Sequence, residues 1–170
     1  TNSAPKTPEE SPFAKPFVNL HVAFVNALKS YGDCDVYAEK IAKWNVKKIF
    51  NFWADTGKAM RSEFLVLGHG DLWINNIMFK ANDIKMFDFQ ATAWASPAYD
   101  IFYFLLTSVN DEVKVENFES LIEFYHQELS SGLSKLEYEA HIPTLEELHM
   151  DLMDKGTFSA VCIMFMLFIF

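Results

Sequence analysis

The sequence predicts an α+β domain that is mostly helical and contains one short β-hairpin. Apolar residues recur at intervals of three and four along segments near both ends of the chain. Between these segments, two short apolar runs flank a polar turn at residues 81–83, which is typical of a hairpin. The chain of 170 residues has the length of one domain, and its 17 phenylalanines can build a hydrophobic core.

The charge and the cysteine count exclude several classes of protein. The formal net charge of -9 argues against nucleic-acid binding, because such proteins need a basic surface to displace counterions from phosphates. Cys34 and Cys162 are too few for a disulfide framework or a zinc site, and they favour a reduced setting. We therefore expect a cytoplasmic protein.

The two ends of the chain differ from its interior. Residues 1–16 are polar and rich in proline, which predicts an extended linker before a domain at residues 17–170. Residues 157–170 form an uncharged apolar run that is shorter than the about 20 residues of a membrane span. A buried helix is therefore favoured over a truncated membrane span. Because both ends look incomplete, we expect the natural chain to be longer.

Two helices are predicted before the hairpin. The first carries apolar residues at helical spacing from Phe17 to Tyr31 and ends at Gly32. The second runs from Val36 to about Asp55, with Asp33 or Asp35 as its N-cap. The apolar residues that are expected to face the interior in the second helix are Ile41, Trp44, Ile49, Phe52 and Trp53.

The strands and the later helices follow in order. Phe64–Leu67 predicts a buried strand, and 77–80 with 84–87 predicts the hairpin. An apolar helix is expected over Ala98–Val109, and Phe118 begins an amphipathic face that continues to Leu129. A last helix is predicted from Thr144 to Lys155, where Thr144 and Glu147 have the spacing of a capping box.

Polar residues cluster at the two ends of the predicted hairpin. Asn76 lies at its entry and Asp88 at its exit, so a tight turn makes them neighbours. Asp71 lies in an irregular loop and can face the same space. Two carboxylates and an amide oxygen suit Mg2+, which prefers oxygen ligands and leaves positions for water and phosphate. Phosphoryl transfer uses this arrangement, with one Asp orienting the attacking hydroxyl while an Asp and an Asn hold the metal ions.

These residues resemble a known family. His69-Gly-Asp71-Leu-Trp-Ile-Asn-Asn76 is similar to the catalytic loop of the kinase-like small-molecule phosphotransferases, which include aminoglycoside and choline kinases. Asp88-Phe-Gln90 resembles their counterpart of Asp-Phe-Gly, and Ser96-Pro-Ala-Tyr-Asp100 resembles the segment that opens the next helix. The resemblance is strongest to the ecdysteroid kinase-like group and covers residues 64–109.

The resemblance implies a role for each matching residue. Asp71 would be the catalytic base, and Asn76 and Asp88 would be the metal ligands. His69 would lie under the loop and bind its backbone, and Asp100 would anchor the loop from below. A further supporting candidate, directly beside Asn76, is Asn75.

Departures from the protein-kinase pattern refine the prediction. Trp73 stands where protein kinases for serine or threonine usually have a lysine, and Gln90 replaces a glycine. Both differences favour a small-molecule substrate. No glycine-rich loop and no candidate strand lysine with a helix glutamate precede the motif. The resemblance therefore implies the C-terminal lobe of the protein-kinase-like fold, with the N-terminal nucleotide lobe of the same polypeptide absent.

The expected function follows from the resemblance. It implies a phosphotransferase that uses ATP and Mg2+ and acts on a hydroxyl group of a small molecule, for example an ecdysteroid or another lipophilic alcohol. The 170 residues alone would then have low activity or none. One alternative is a catalytically silent kinase-like scaffold. Another is a membrane-attached interaction protein that is anchored by residues 157–170.

Overall fold

A computed structural model describes residues 14–45, 47, 64–81 and 83–159 of the chain. The chain divides into two compact units, one formed by residues 1–57 with 160–170 and the other by residues 58–159. The first unit contains α1 (Ala14–Ser30) and α2 (Asp35–Ala42). The second contains β1 (Val66–Gly68), β2 (Ile77–Lys80), β3 (Asp83–Met86), β4 (Ala93–Ala95), α3 (Pro97–Ser108), α4 (Asp111–Lys135) and α5 (Leu145–Asp154).

In the first unit, α1 extends the predicted helix toward the N-terminus. It begins at Ala14, so Pro16 lies in its first turn, where no intrahelical partner for a backbone N–H is needed. The side chains of Phe17 and Phe24 are buried, as the helical spacing predicts. His21 is also buried and its Nε2 donates to the carbonyl of Ile41 at 2.8 Å, which ties α1 to α2.

The prediction for the second helix is only partly correct. The helix α2 ends at Ala42, and residues 43–45 are not helical. Residues 46 and 48–55 of the prediction lie outside the described residues. The N-cap is Cys34, which makes no side-chain capping bond, so the predicted cap at Asp33 or Asp35 is wrong. Asp35 lies instead in the first turn, where its charge complements the helix dipole.

The core of the second unit lies between its three helices. The amphipathic face predicted from Phe118 to Leu129 packs into one apolar cluster, in which its member Ile122 is buried. Partly buried Phe118, Leu121 and Tyr125 pack against this cluster from α4. The buried members are Ala98, Ile101 and Leu105 of α3, Ile122 of α4, and Leu148 and Leu152 of α5.

The start of α5 confirms the predicted capping box. Thr144 is the N-cap, and its hydroxyl accepts from the backbone N–H of Glu147 at 3.2 Å. The Glu147 carboxylate accepts in return from the N–H of Thr144 at 2.8 Å. The two bonds satisfy donors that a helix start leaves without intrahelical partners.

The hairpin is confirmed, with a turn tighter than predicted. β2 and β3 pair antiparallel, and Lys80 lies opposite Asp83, so β3 begins one residue before its predicted start at residue 84. Ala81 has a φ of +52°, a conformation that two-residue hairpin turns require. The cross-strand pairs Ile77–Met86 and Phe79–Ile84 lie on one face of the hairpin.

The first strand differs from its prediction in position and burial. It begins at Val66 rather than Phe64, and Leu67 is 61% exposed, so the expectation of a buried strand is wrong for this residue. Its partner is β4, antiparallel, with Leu67 opposite Trp94. The reason for the exposure is that β1 and β4 form a sheet of two strands.

The apolar C-terminal run is described only at its beginning. Residues 157–159 are helical, and residues 160–170 lie outside the described residues. Over the part of the chain that the structure describes, no helix combines the length and the apolar character that crossing a membrane requires.

Candidate active site

The loop that follows β1 is held at its backbone by α3. Asp100 lies in the first turn of this helix. Its carboxylate accepts from the N–H of His69 at 2.6 Å and from the N–H of Gly70 at 2.9 Å. Because both bonds go to a charged acceptor, they are stronger than bonds between neutral groups. The first residues of the loop are therefore fixed to α3.

The imidazole of His69 joins the loop to the end of the hairpin. The side chain is 6% exposed, and its Nε2 donates to the carbonyl of Phe87 at 2.9 Å. Its Nδ1 accepts from the N–H of Asp71 at 3.3 Å. A carbonyl only accepts and an amide N–H only donates, so the partners assign the tautomer with the proton on Nε2. The ring also packs against Phe89, with centroids 4.8 Å apart.

The carboxylate of Asp71 accepts one hydrogen bond at each oxygen. Tyr103 donates its hydroxyl to Oδ1 at 2.9 Å, and Asn76 donates its amide Nδ2 to Oδ2 at 3.1 Å. The same Nδ2 lies 2.9 Å from the backbone carbonyl of Asp71. Because the amide nitrogen of Asn76 faces Asp71, the carboxamide oxygen is the atom that Asn76 can present to a cation.

The backbone places Asp88 next to this network. Phe87 donates its N–H to the carbonyl of Asn76 at 3.1 Å and accepts at its own carbonyl from His69. Asp88 follows directly with a φ of +62° and starts a short 3₁₀ turn at residues 89–91. Its carboxylate is exposed and accepts from Gln90 Nε2 at 3.4 Å, a long hydrogen bond.

A second junction lies between the loop and this turn. Gly70 has a φ of +78°, and a Cβ at this position would lie 2.2 Å from the carbonyl oxygen of Ala91. Only a residue without a side chain fits such a close approach. The loop that carries Asp71 and the turn that follows Asp88 are therefore in direct backbone contact.

Among the predicted site residues, four form one connected network and two lie at its edge. Asp71 and Asn76 are bonded to each other, and His69 and Asp100 hold the backbone around them. Asp88 joins this network through the neighbouring Phe87. Asn75 is exposed in the 3₁₀ turn at residues 74–76. The roles assigned to all six residues remain predictions.

Two residues of α3 that bind the loop were not predicted from the sequence. Tyr103 binds Asp71, and the hydroxyl of Ser108 accepts from the N–H of Ile74 at 2.8 Å. The spacing carried a signal for Tyr103, because it lies three residues after Asp100, which places both side chains on one face of a helix. Two polar side chains on one face of a helix can contact the same neighbouring segment.

An apolar pocket of about 610 Å³ adjoins the loop, between β1, α3 and α4. Leu72, Phe104 and Phe124 contribute to its lining, together with the polar groups of Asp100 and Tyr125. Burial raises the pKa of Tyr125 to about 12, and the negative charge of Asp100 adds to this effect. The phenol is therefore neutral at physiological pH.

The donor atoms at the site fit a hard cation. Among the described residues, no three or more histidine, cysteine, aspartate or glutamate side chains are grouped so that they could hold a metal ion. The predicted ligands are instead one amide and one carboxylate, Asn76 and Asp88. Oxygen donors of this kind, in small number, are what Mg2+ uses in sites that it shares with phosphate.

Comparison with protein families agrees with the motifs in this site. The model of the ecdysteroid kinase-like family matches residues 3–138. The chain belongs to the ecdysteroid kinase-like family. The match includes all six candidate site residues as well as Tyr103 and Ser108, and it confirms the family suggested by the catalytic-loop motif. Searches of curated proteins and of solved structures found no match. Membership of the ecdysteroid kinase-like family indicates a small-molecule kinase type of function in general.

Proposed function

We propose that this member of the ecdysteroid kinase-like family carries the catalytic loop of an ATP- and Mg2+-dependent phosphotransferase. The acceptor is a hydroxyl group of a small molecule, and a lipophilic alcohol such as an ecdysteroid is the class to test first. The observation that carries the proposal is the fixed carboxylate of Asp71, which accepts from Tyr103 and Asn76 beside the turn that presents Asp88.

Asp71 is the residue that orients the acceptor. Each of its carboxylate oxygens has a second lone pair beside the one used by Tyr103 or Asn76. The acceptor hydroxyl donates to one of these lone pairs while its oxygen attacks the γ-phosphorus of ATP. A new P–O bond forms, the bond from the γ-phosphorus to the β–γ bridging oxygen breaks, and ADP leaves with that electron pair. The proton of the hydroxyl passes to Asp71.

Asn76 and Asp88 would hold Mg2+. Bound there, Mg2+ neutralises negative charge on the phosphates of ATP. Asn76 is 6% exposed, and its Nδ2 donates to Asp71. The burial and the hydrogen bond together keep the amide in one orientation. Asp88 is exposed, so a cation held by its carboxylate could also contact the phosphate oxygens of ATP.

We also propose that residues 17–170 correspond to the C-terminal lobe of a kinase-like fold and act together with a nucleotide-binding lobe. The hairpin supports this proposal, because Phe79, Ile84 and Met86 are each more than half exposed on one apolar face. An apolar face of this kind is typical of a surface that packs against protein.

The experiment is a phosphoryl-transfer assay with labelled ATP and a panel of hydroxylated steroids, on the full-length gene product. We expect Asp71→Ala and Asp88→Ala to lower kcat by about 10²–10⁴-fold, the range of a lost proton acceptor or charge-stabilising group. Asp83→Ala is the matched control, since it removes an exposed carboxylate at the turn of the hairpin.

The outcomes separate the proposal from its alternative. Near-normal turnover in either site variant would contradict the roles assigned to Asp71 and Asp88. Absence of transfer by the unmodified protein, with retained binding of a steroid, would favour the silent kinase-like scaffold.

A further inference from the structure

We propose that Tyr103 is a positioning residue that fixes the orientation of the Asp71 carboxylate for phosphoryl transfer. Its hydroxyl donates to Asp71 Oδ1 at 2.9 Å, and both side chains are partly buried. The catalytic part of this inference rests on the function proposed above. The geometric part, that Tyr103 holds Asp71, does not.

The position of Tyr103 on α3 makes the contact rigid. Ile101 and Leu105 of the same helix are buried in the core, which fixes the helix in place. Tyr103 lies three residues after Asp100 and therefore on the same face, toward the loop. One helix thus holds the backbone of the loop through Asp100 and the side chain of Asp71 through Tyr103.

The contact restricts a rotation that Asn76 alone leaves possible. A carboxylate held at one oxygen can still turn about that hydrogen bond. With Asn76 on Oδ2 and Tyr103 on Oδ1, the plane of the carboxylate is defined by two donors from different elements. The remaining lone pairs then point in fixed directions, and such pre-arranged geometry lowers the barrier for a bound acceptor.

The first test removes only the hydroxyl. In Tyr103→Phe we expect kcat for phosphoryl transfer to fall about 10–100-fold, the effect of a catalytic group displaced by a fraction of an ångström to an ångström. We expect the KM values for ATP and for the acceptor to stay within about threefold, because Tyr103 holds Asp71 rather than a substrate. The matched control is Tyr138→Phe, which removes a phenolic hydroxyl outside this network and should leave kcat unchanged.

The second test does not require activity. Asn76 donates its side-chain amide to Asp71, so the amide protons report on the carboxylate. The resonance pair is assigned by its loss in Asn76→Asp. In Tyr103→Phe we expect a shifted pair with faster hydrogen exchange, and in Tyr138→Phe an unchanged one.

Each result decides one part of the inference. An unchanged Asn76 amide in Tyr103→Phe would overturn the positioning role, whatever the activity of the protein. A shifted amide with unchanged kcat would overturn the catalytic use of the contact. If the unmodified protein transfers no phosphoryl group, the proposed function fails, and the amide still decides whether Tyr103 holds Asp71.

Discussion

At the scale of single residues, Gly70 is the position where the site tolerates least change. Its φ of +78° disfavours any side chain, and a Cβ would lie 2.2 Å from the carbonyl of Ala91. Gly70→Ala must therefore strain its own backbone and push the loop away from the turn. We expect a loss of about 2–4 kcal/mol in the free energy of unfolding, measured by urea denaturation. Transfer activity should fall with it, because Asp71 follows directly.

Gly132→Ala is the matched control for this change. Gly132 lies within α4, and among the described residues no atom outside the adjacent backbone of this helix lies within 4 Å of a Cβ built there. Alanine favours a helix over glycine, so we expect this variant to be more stable by about 0.5–1 kcal/mol. If Gly70→Ala and Gly132→Ala changed the stability in the same direction, the close approach at Gly70 would not constrain the loop.

The proposed metal ligands, Asn76 and Asp88, give a second prediction at this scale. We expect weak binding of Mg2+ to the protein without nucleotide, detected by titration calorimetry, since only two protein oxygens are offered. Asn76→Ala and Asp88→Ala should abolish the heat of binding, and Asp83→Ala should retain it. Equal binding of Mg2+ by the unmodified protein and all three variants would mean that Mg2+ binds at another site.

At the scale of elements, the sequence predicts the hairpin of β2 and β3 but not the second sheet, which β1 and β4 form. The hairpin follows from local signals, because two short apolar runs flank a short polar turn and the turn sets the register, with Phe79 opposite Ile84. β4 contains two alanines and one tryptophan, and residues 69–92, which include the hairpin, separate it from β1, so no local pattern predicts their pairing. The end of α2 at Ala42 was not predicted for the same reason. The turn at residues 43–45 interrupts a periodic sequence, and no glycine or proline marks it.

The start of α5 offers a test of a single helix cap. Thr144→Ala removes the hydroxyl that accepts from the N–H of Glu147, and we expect a loss of about 1 kcal/mol in the free energy of unfolding. Thr144→Ser keeps a capping hydroxyl and should stay close to the unmodified protein. Thermal unfolding of the three proteins in parallel checks this. If Thr144→Ser were as unstable as Thr144→Ala, the loss in the free energy of unfolding would come from the methyl group and not from the hydroxyl.

The Glu147 carboxylate, which is the other acceptor of this capping box, predicts that the stability of the protein depends on pH. The backbone N–H of Thr144 lowers the pKa of Glu147, and the hydrogen bond with His141 adds to this effect. Because the pKa is lower in the folded state, the unfolded state binds the proton more readily. The stabilisation is present above pH 4.5, the ordinary value, and is lost as the pH falls through the folded-state pKa. The stability difference between the unmodified protein and Glu147→Gln should therefore be larger at pH 7 than at pH 3, and a constant difference would contradict it.

At the scale of the whole molecule, the sequence predicted the parts of the site that lie close in the chain. Asn76 and Asp88 are joined by the hairpin, so their proximity in the backbone follows from local rules. Tyr103 and Ser108 reach the loop from a helix about 30 residues later, and this requires the tertiary packing of α3. Because the core decides where α3 lies, the geometry of the site depends on residues that never touch it.

Ile122 tests this dependence of the site on the core. It is 1% exposed in α4 and belongs to the cluster formed with α3 and α5. Ile122→Ala leaves a cavity there, and we expect a loss of about 2–5 kcal/mol in the free energy of unfolding. Val115→Ala in the same helix is the control, since Val115 is 79% exposed and its truncation should change the stability by no more than about 0.5 kcal/mol. If α3 holds the loop as proposed, the Asn76 amide should exchange faster in Ile122→Ala and not in Val115→Ala. Equal exchange in the two variants would mean that the loop keeps its geometry independently of the helical core.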